Sequence, residues 1–363
     1  MSTGAPVLGA PMSTGAPEVL VAMSGGVDSS VAAALLLDQG YRVVGVTMKL
    51  WGGASDSGCC AVSDVDDARR VAQQLGIDHH VFNFGDDFER HVVAPYVRAH
   101  AAGQTPNPCI ECNRHLKFDR LLQRASMLGI ELVATGHHAQ IRAEADGTRR
   151  VARGADRAKD QSYVLHMLGQ AQLARLMFPV GDTTKEHVRA IAHERGLRTA
   201  DKPDSQDVCF ITSTGGRSAF IGDRLALTPG RVVDEQGAVV GSVPAVELVT
   251  IGQRKGLGLM GGTHQPRFAV DVDVASATVT IGRRDDLDRR TVRLDSLAWS
   301  GAQVDGSVRV QVSAHGAARP ATIDAATGVL TWVNPQRRVA PGQAVVLYDA
   351  ATGETVLGGG TAS

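Results

Sequence analysis

No apolar run in this sequence approaches the roughly 20 residues that cross a bilayer, so we expect no membrane-spanning helix and no membrane partner. The N-terminus has neither a basic segment nor a long apolar one, which argues against a secretory signal. Aromatic residues make up only 4% of the chain, and the net charge is -1. A nearly neutral chain does not attract nucleic acid over its whole surface, so any RNA contact must use local patches.

Cysteine is scarce as well. The cysteines are Cys59, Cys60, Cys109, Cys112 and Cys209. An odd number of cysteines in a large chain without a secretion signal does not suit a framework of structural disulfides. We therefore expect a cytoplasmic protein whose thiols stay reduced and are available for chemistry.

At 363 residues the chain is too long for one ordinary domain, and two or three domains are expected. Two capping boxes, Ser63 with Asp66 and Thr183 with Glu186, predict where helices begin. Short buried strands alternate with amphipathic helices in the first part of the chain, which is typical of an α/β fold with a doubly wound parallel sheet. These strands are predicted at Glu18–Met23, Tyr41–Met48, Asp78–Phe82 and Glu131–Thr135.

The pattern changes near Arg217. Helical periodicity fades, and short strands separated by Gly, Pro and Asp turns take over, for example at Thr278–Gly282 and Ala344–Tyr348. Two small β-rich modules, divided near Asp285–Arg290, fit this pattern better than one, and the last is predicted to be a β-barrel. The predicted organisation is a flexible tail over residues 1–17, an α/β catalytic domain over 18–216, a central β-rich domain over 217–287 and a C-terminal barrel over 288–363.

A turn rich in glycine and serine joins the first predicted strand to the first predicted helix. It reads Ser24-Gly25-Gly26-Val27-Asp28-Ser29-Ser30. The glycines let the backbone approach a phosphate, the helix N-terminus presents unpaired N–H groups, and the serines add hydroxyl donors. The G-x-x-x-x-G-K-[ST] pattern of a Walker A loop is absent. The turn therefore predicts a nucleotide-phosphate site of another type, with a simple capped turn as the alternative.

Two of the thiols, Cys109 and Cys112, form a C-x-x-C pair, and Cys209 lies at the end of the α/β part. The prolines before the pair stop any earlier helix, so Cys112 is predicted at the N-terminus of a new one. That position, with Arg114 nearby, lowers a thiol pKa and favours the thiolate. A C-x-x-C pair alone fits a redox pair, half of a metal site, or neither. Beside a nucleotide site, the distant third thiol favours sulfur transfer.

Residues 149–159 form a basic stretch with a single acidic residue, Asp156. Such a cluster is compatible both with a solvated loop and with a contact to RNA phosphate. Its basic residues are Arg149, Arg150, Arg153, Arg157 and Lys159.

Several motifs occur in one order along the chain: SGGVDSS, TPNPCIECNRHLKFD, ATGHHAQ, KDQSYVLHML, KPDSQDVCFI and PGQAVVLYD. Together they resemble the bacterial tRNA-specific 2-thiouridylase family, from about Glu18 to Gly360. The resemblance implies a Rossmann-like domain of the PP-loop type, which cleaves ATP between its α and β phosphates and adenylates an oxygen. It also implies ATP-dependent 2-thiolation of the wobble uridine of tRNA, with release of AMP and pyrophosphate.

The resemblance also implies roles for individual residues. Cys112 would be the nucleophile, and Cys209 would carry the persulfide. The residues implied to hold ATP are Ala22, Met23, Ser24, Gly25, Gly26, Val27, Asp28, Ser29, Met48 and Gly136. Those implied to contact tRNA are Asn107, Pro108 and Cys109 at the target base, and His137, Lys159, Asp160, Gln161 and Gln343 elsewhere. Mg²⁺ would accompany ATP, and the partners would be the anticodon arm of tRNA and a cysteine desulfurase or sulfur-relay protein.

Three alternatives stay open. Many family members have Asp at the position of Cys109, so Cys109, Cys112 and Cys209 also suit three corners of a [4Fe–4S] cluster whose fourth iron binds sulfide. Another PP-loop enzyme, such as an ATP-dependent amide ligase or a lysidine-type tRNA enzyme, would need a nitrogen donor and no thiols. A metal- or redox-sensing RNA-binding protein would bind nucleotide and form no AMP.

Overall fold

The computed structural model describes residues 15–50, 62–204, 208, 210–211, 216–260 and 265–363. An open parallel sheet, a small mixed sheet and a closed barrel follow one another along the chain, which confirms the predicted fold class. The domain limits at residues 17, 216 and 287 stay predictions. No helix within the described ranges has the length and apolar character to cross a membrane.

The strands of these ranges are, in chain order, β1 (Glu18–Ala22), β2 (Arg42–Lys49), β3 (Asp78–Asn83), β4 (Leu132–Thr135), β5 (Ala139–Ala143), β6 (Arg149–Arg153), β7 (Leu176–Met177), β8 (Gly230–Val233), β9 (Val239–Val243), β10 (Phe268–Asp273), β11 (Thr278–Gly282), β12 (Asp288–Trp299), β13 (Gly306–Gln311), β14 (Arg319–Asp324), β15 (Val329–Arg337), β16 (Ala344–Tyr348) and β17 (Val356–Ala362).

The α-helices are α1 (Val27–Asp38), α2 (Val62–Leu75), α3 (Gly85–Phe88), α4 (Ala94–Ala101), α5 (Pro108–Glu111), α6 (Leu121–Met127), α7 (Gln170–Leu173), α8 (Lys185–Glu194) and α9 (Gly216–Gly222). Wide π-helical turns over Glu89–Val93 and Cys112–Arg120 join α3 to α4 and α5 to α6. Short 3-10 turns lie at Ser162–Leu165, Val246–Leu248 and Asp285–Leu287.

The first sheet has the order β3-β2-β1-β4-β7, and all its strands are parallel. Alternate residues of the central strand β1 belong to two different cores. Val19 and Val21 pack with residues of α1, α2 and α8, whereas Leu20 packs with Phe118 and Leu121 on the opposite face. A strand buried on both faces has to be apolar throughout, and for this reason Glu18–Ala22 was recognisable from the sequence.

Two helix starts differ from the predicted capping boxes. Helix α2 begins at Val62, so Ser63 lies inside its first turn instead of capping it. Helix α8 is capped by Thr184 instead of Thr183, and the Thr184 hydroxyl accepts a hydrogen bond from the amide of His187 at 3.3 Å. The two starts differ from the predictions by two residues and by one residue, which is the usual uncertainty of helix ends.

The second sheet has the order β10-β11-β8-β9, in which only the β11–β8 pair is parallel. The barrel closes in the order β12-β15-β14-β13-β16-β17 with antiparallel neighbours. Val308 and Val310 of β13 face the barrel core, and Ser307 faces solvent, as the period of two in a strand requires. Both β-rich modules predicted after Arg217 are therefore present.

The barrel packs directly on the α/β domain. The hairpin β5–β6 projects from the first sheet, and Ala152 of β6 pairs with Thr355 beside β17. Tyr348 of β16 is fully buried in the same apolar core as Tyr163, whose hydroxyl donates a hydrogen bond to the carbonyl of Ala344 at 2.8 Å. The two domains thus share one core instead of touching through a polar surface.

The basic stretch over residues 149–159 is engaged largely at this junction. Arg153 donates to Asp160 at 2.6 Å and to Gln311 of the barrel at 2.8 Å, and its guanidinium lies 4.0 Å from the centre of the Tyr348 ring. For Arg153 these contacts favour a structural role over a contact with RNA phosphate. The other pairs of the stretch are Arg150 with Ser300, Arg157 with Glu354, and Lys159 with Asp204.

Candidate active site

The turn rich in glycine and serine lies where the strand order of the first sheet reverses. Strand β2 pairs with β1 on one side, and β4 pairs with β1 on the other. In open parallel sheets such a switch point forms a crevice at the carboxyl ends of the strands, where ligands bind. Among the described residues, no side chain caps the first turn of α1, which begins directly after Gly26. Its first backbone amides are therefore available to an anion.

Gly25 is the residue of this turn that has to be glycine. Its φ is 72°, and a Cβ there would lie 2.3 Å from the carbonyl oxygen of Asp64. Gly26 has an ordinary extended conformation with φ of -95°, and its Cβ would meet only the Ser24 hydroxyl at 3.4 Å. The requirement for glycine in this motif is thus conformational at Gly25, and the protein itself leaves room for a Cβ at Gly26.

The three serines of the turn have different tasks. The buried Ser29 and Ser30 hydroxyls donate to the carbonyl of Gly26 at 3.1 and 2.8 Å, and Ser29 Oγ accepts from the amide of Ser24 at 3.2 Å. These bonds stabilise the turn itself. Ser24 is exposed and is the hydroxyl that faces solvent at this site.

Asp28, in the first turn of α1, is held by two side chains that sequence reasoning did not single out. Lys185 Nζ lies 2.7 Å from each carboxylate oxygen, and His138 Nε2 lies 3.0 Å from Oδ1. Burial raises the pKa of Asp28, but the hydrogen bonds and charges of His138 and Lys185 outweigh burial and bring the pKa below its usual value. The carboxylate is therefore ionised at neutral pH.

Lys185 is shared with a second carboxylate. Its Nζ lies 2.9 Å from Asp204, which also pairs with Lys159 and Arg189 at 2.7 Å each. Burial raises the pKa of Asp204, but the hydrogen bonds and charges of Lys159 and Lys185 have the larger, opposite effect. The pKa of Asp204 is therefore well below its usual range. Lys185 is the first residue of α8, where a cation opposes the helix dipole. That unfavourable placement was the one signal in the sequence that this lysine serves another purpose.

The segment after β4 closes over the turn. A Cβ on Gly136 would lie 2.6 Å from the amide nitrogen of Ser29, so only glycine permits this approach. Gly136 and Ser29, both implied to hold ATP, are thus neighbours. Met48 is half-buried near the end of β2, the other strand that pairs with β1. His138 is buried, and its Nδ1 has no hydrogen-bond partner among the described residues.

Cys109 and Cys112 lie on a helix that begins earlier than predicted. Helix α5 begins at Pro108, and its cap is Asn107, whose Oδ1 accepts a hydrogen bond from the amide of Cys109 at 3.0 Å. Cys109 is therefore in the first turn, whereas Cys112 begins the following π-helical turn. Cys112 is buried, and Cys109 is partly exposed. The expected helix N-terminus is thus at Cys109 and not at Cys112, because Pro108 begins the helix.

Asn107 and Pro108 line a cleft of about 180 Å³ between the α/β domain and the barrel. Gly342 and Ala344, on either side of Gln343, also line this cleft. The Gln343 side chain donates to the carbonyl of Thr105, close to Asn107 in sequence. The structure thus brings Gln343 close to Asn107 and Pro108, which the resemblance implies at the target base, although they are far apart in the chain.

The other residues implied to contact tRNA differ in exposure. His137 is buried between two phenylalanine rings, and this burial keeps its pKa well below the usual value. Asp160 is also largely buried, in its pair with Arg153. Lys159 and Gln161 are exposed. His137 and Asp160 therefore expose little of their side chains, and their implied contacts with tRNA stay predictions.

Residues 17–213 match the family model described as the tRNA methyl transferase HUP domain, residues 218–283 the tRNA methyl transferase PRC-barrel domain, and residues 289–362 the aminomethyltransferase beta-barrel domain. The tRNA-specific 2-thiouridylase MnmA of Roseiflexus sp. (strain RS-1) is 45% identical over 94% of this chain and 98% of its own. That of Sorangium cellulosum (strain So ce56) is 48% identical over 94% of this chain and 91% of its own. The chain belongs to the tRNA-specific 2-thiouridylase family.

Membership in the 2-thiouridylase family identifies the chain as an enzyme. A crystal structure of a 4-thiouridine synthetase–RNA complex with bound ATP is 18% identical and covers 53% of this chain and 44% of that one, with a TM-score of 0.36. A similarity this low transfers no feature of that site to the 2-thiouridylase chain.

Some residues singled out in this 2-thiouridylase sequence lie outside the described residues, namely Cys59, Cys60 and Cys209. Phe210, the sequence neighbour of Cys209, is described and packs in the same apolar cluster as Cys112. Within the described ranges no group of three or more His, Cys, Asp or Glu side chains is placed to hold a metal ion. Because Cys209 lies outside these ranges, the [4Fe–4S] alternative stays a prediction.

Proposed function

We propose that this protein is an ATP-dependent tRNA-uridine 2-sulfurtransferase that thiolates the wobble uridine. The observation that carries the proposal is the turn between β1 and α1, in a chain of the 2-thiouridylase family. No described side chain caps the first amides of α1, and Gly136 packs closely against this turn. Uncapped amides at a helix N-terminus suit the phosphates of ATP. The domain over residues 18–216 would hold ATP and the reacting thiols.

The first proposed step activates the uridine. The C2 carbonyl resists sulfur because its oxygen is a poor leaving group. In the proposed reaction O2 attacks the α-phosphorus of ATP, pyrophosphate leaves, and the oxygen becomes part of AMP, which is a good leaving group. The amides of α1 and the exposed Ser24 hydroxyl would bind the phosphates, and the ionised Asp28 carboxylate suits a Mg²⁺ ion that accompanies them.

The second step transfers sulfur. Cys209 would carry a persulfide supplied by a cysteine desulfurase or relay protein. Its terminal sulfur attacks C2 and AMP leaves, which joins the base to Cys209 through a disulfide. The Cys112 thiolate then attacks the Cys209 sulfur, which releases 2-thiouridine and leaves a Cys112–Cys209 disulfide for an external thiol to reduce. The packing of Phe210 in the apolar cluster of Cys112 supports this pairing.

The target uridine has to leave the anticodon stack to reach any such site. We propose that Asn107, Pro108, Cys109 and Gln343 receive it, because they surround or adjoin one cleft. The exposed Lys159 and Gln161 would contact tRNA outside the cleft.

The test is release of AMP, measured with and without tRNA and a persulfide donor. We expect AMP and 2-thiouridine only when both are present, and we expect Cys112→Ser and Cys209→Ser each to abolish thiolation while tRNA still binds. Cys59→Ser is the control and should be nearly neutral. AMP formation that needs a nitrogen donor and tolerates both serine variants would identify an amide ligase or lysidine-type enzyme. Methyl transfer to tRNA without AMP formation would instead favour a tRNA methyl transferase, the activity that two of the matching family models name.

Anaerobic purification separates the persulfide route from a [4Fe–4S] route. The persulfide route predicts colourless active protein in which Cys109→Asp is tolerated. A cluster predicts brown protein that absorbs at about 400 nm, as thiolate-bound iron does. Cys109→Ala should then lose both the colour and the activity. Iron-free protein that thiolates tRNA at full rate would eliminate the cluster.

A further inference from the structure

The cleft beside Asn107 contains a hydrogen-bond acceptor that no step above uses. His166 lines this cleft, and its side chain is only 3% exposed. Its Nδ1 lies 3.0 Å from the carbonyl oxygen of Tyr163. Because a carbonyl only accepts, Nδ1 carries the proton, and Nε2 is the unprotonated nitrogen.

His166 stays neutral at physiological pH. Burial lowers its pKa and the charge of Arg114 lowers it further, to about 4, although the bond to Tyr163 acts in the opposite direction. Among the described residues, none forms a hydrogen bond with His166 Nε2. Nε2 is therefore an acceptor without a described partner, on a side chain that lines the cleft.

Arg114 supplies donors beside this acceptor. It lines the same cleft, and its charge acts on His166. The nearest carboxylate, Glu111, is 3.8 Å from its guanidinium, which is too far for a hydrogen bond. Arg114 Nε is buried and has no partner among the described residues. A planar guanidinium that keeps its donors can bind a carbonyl oxygen of a flat ligand.

We propose that this cleft receives the target base and that His166 and Arg114 select uracil. The inference rests on the proposed function and deepens it. Uracil presents N3–H between two carbonyl oxygens, so His166 Nε2 would accept from N3–H while Arg114 donates to O4, and O2 is left for adenylation. Cytosine has an unprotonated N3 and an amino group at C4. Its N3 acceptor would then face the His166 Nε2 acceptor, and its amino donor would face the Arg114 donors.

The cleft and the nucleophile belong to one unit of structure. Pro108 lines the cleft, and Cys112 follows it by one helical turn, on the same side of the helix. The buried Asn113 side chain, next to Cys112, donates to the carbonyl of Val164 at 3.0 Å. This bond attaches the turn of Cys112 to the segment that carries His166.

The experiment compares two anticodon stem-loop RNAs that differ only in uridine or cytidine at the wobble position. Their dissociation constants are measured by fluorescence anisotropy without ATP. For the natural protein we expect a preference for uridine of roughly 10- to 100-fold, the range for one well-paired base edge. His166→Phe keeps an aromatic ring packed closely against β17, since a Cβ on Gly359 would lie only 2.6 Å from the imidazole. This variant should reduce the preference for uridine by about fivefold, as expected for one lost hydrogen bond.

Further variants keep the test decisive. His166→Gln can present an amide oxygen in place of Nε2 and should retain most of the preference. Arg114→Gln should weaken binding of the uridine RNA, and exposed His187→Ala should change nothing. A stem-loop with N3-methyluridine, which has no N3–H, should bind the natural protein and His166→Phe equally well, because the coupling between His166 and N3–H is absent.

An unchanged ratio of uridine to cytidine binding in His166→Phe would overturn the inference, as would natural protein that thiolates uridine and binds both RNAs equally. If His166→Phe does not fold, loss of the preference in His166→Gln at unchanged stability would overturn it as well. Natural protein that thiolates no tRNA would instead overturn the proposed function, so the two failures are distinguishable.

Discussion

Replacing Lys185 with methionine should destabilise the nucleotide turn more than any substitution of an exposed lysine. The Lys185 ammonium lies between Asp28 and Asp204, at 2.7 and 2.9 Å, and its side chain is only 10% exposed. Methionine keeps most of the length of the stem and removes the charge. Of their described partners, Asp28 then retains His138, and Asp204 retains Lys159 and Arg189.

The expected loss of stability is about 2 kcal/mol. Removal of one partner from a fully buried ion pair destabilises by about 3–5 kcal/mol, because the other charge is left buried and unpaired. The carboxylates here are 30% and 34% exposed, and each keeps another cation, so solvent and the remaining pairs reduce that loss. An exposed pair contributes only about 0–1 kcal/mol. Lys159→Met is the matched control, since Lys159 pairs with the same Asp204 but is 44% exposed.

Urea denaturation measures the loss, and ATP-dependent AMP release measures the site. Without Lys185 the pKa of Asp28 should rise, because burial then outweighs the remaining hydrogen bond. The acidic limb of the activity profile should therefore move to higher pH. Lys185→Arg should restore part of both properties. Equal stability of Lys185→Met and Lys159→Met, together with a pH profile of Lys185→Met equal to that of the natural protein, would refute the reasoning.

Three further predictions concern the turn and the junction with the barrel. Gly25→Ala should reduce AMP release at least about tenfold, because the left-handed conformation costs alanine about 1–2 kcal/mol even before the clash with the Asp64 carbonyl. Gly26→Ala is the control and should fold normally. Equal loss of AMP release in the two variants would contradict this assignment. Arg153→Met should lower the free energy of unfolding by about 3 kcal/mol, since Asp160 is left buried, and a loss below about 1 kcal/mol in urea would contradict it. Burial raises the pKa of Tyr348 to about 12 from 10.0, so its neutral hydroxyl stabilises the fold below pH 10 and this contribution is lost as the pH rises toward 12. Tyr348→Phe should show a shallower fall in Tm over that range, and an identical slope would exclude this origin.

The sequence by itself determined the fold class, the position of the nucleotide turn and the family. Strand β1 is apolar in all its central residues because both its faces are buried, and this pattern is local. The turn after it is also local, since its glycines, its serines and the start of α1 are contiguous. Thr278–Gly282 and Ala344–Tyr348 were predicted with their observed limits, because Gly and Asp turns end each strand.

Only the tertiary structure decided which distant side chains meet. Nothing near Asp28 in the sequence indicates that Lys185 neutralises it, because an ion pair between separate helices leaves no periodic pattern. The burial of His137, the burial of Cys112 and the position of His166 at the cleft likewise depend on which elements cover each residue. A motif records the local backbone geometry that a site needs. The charges and hydrogen bonds that complete the site come from segments that the fold brings together.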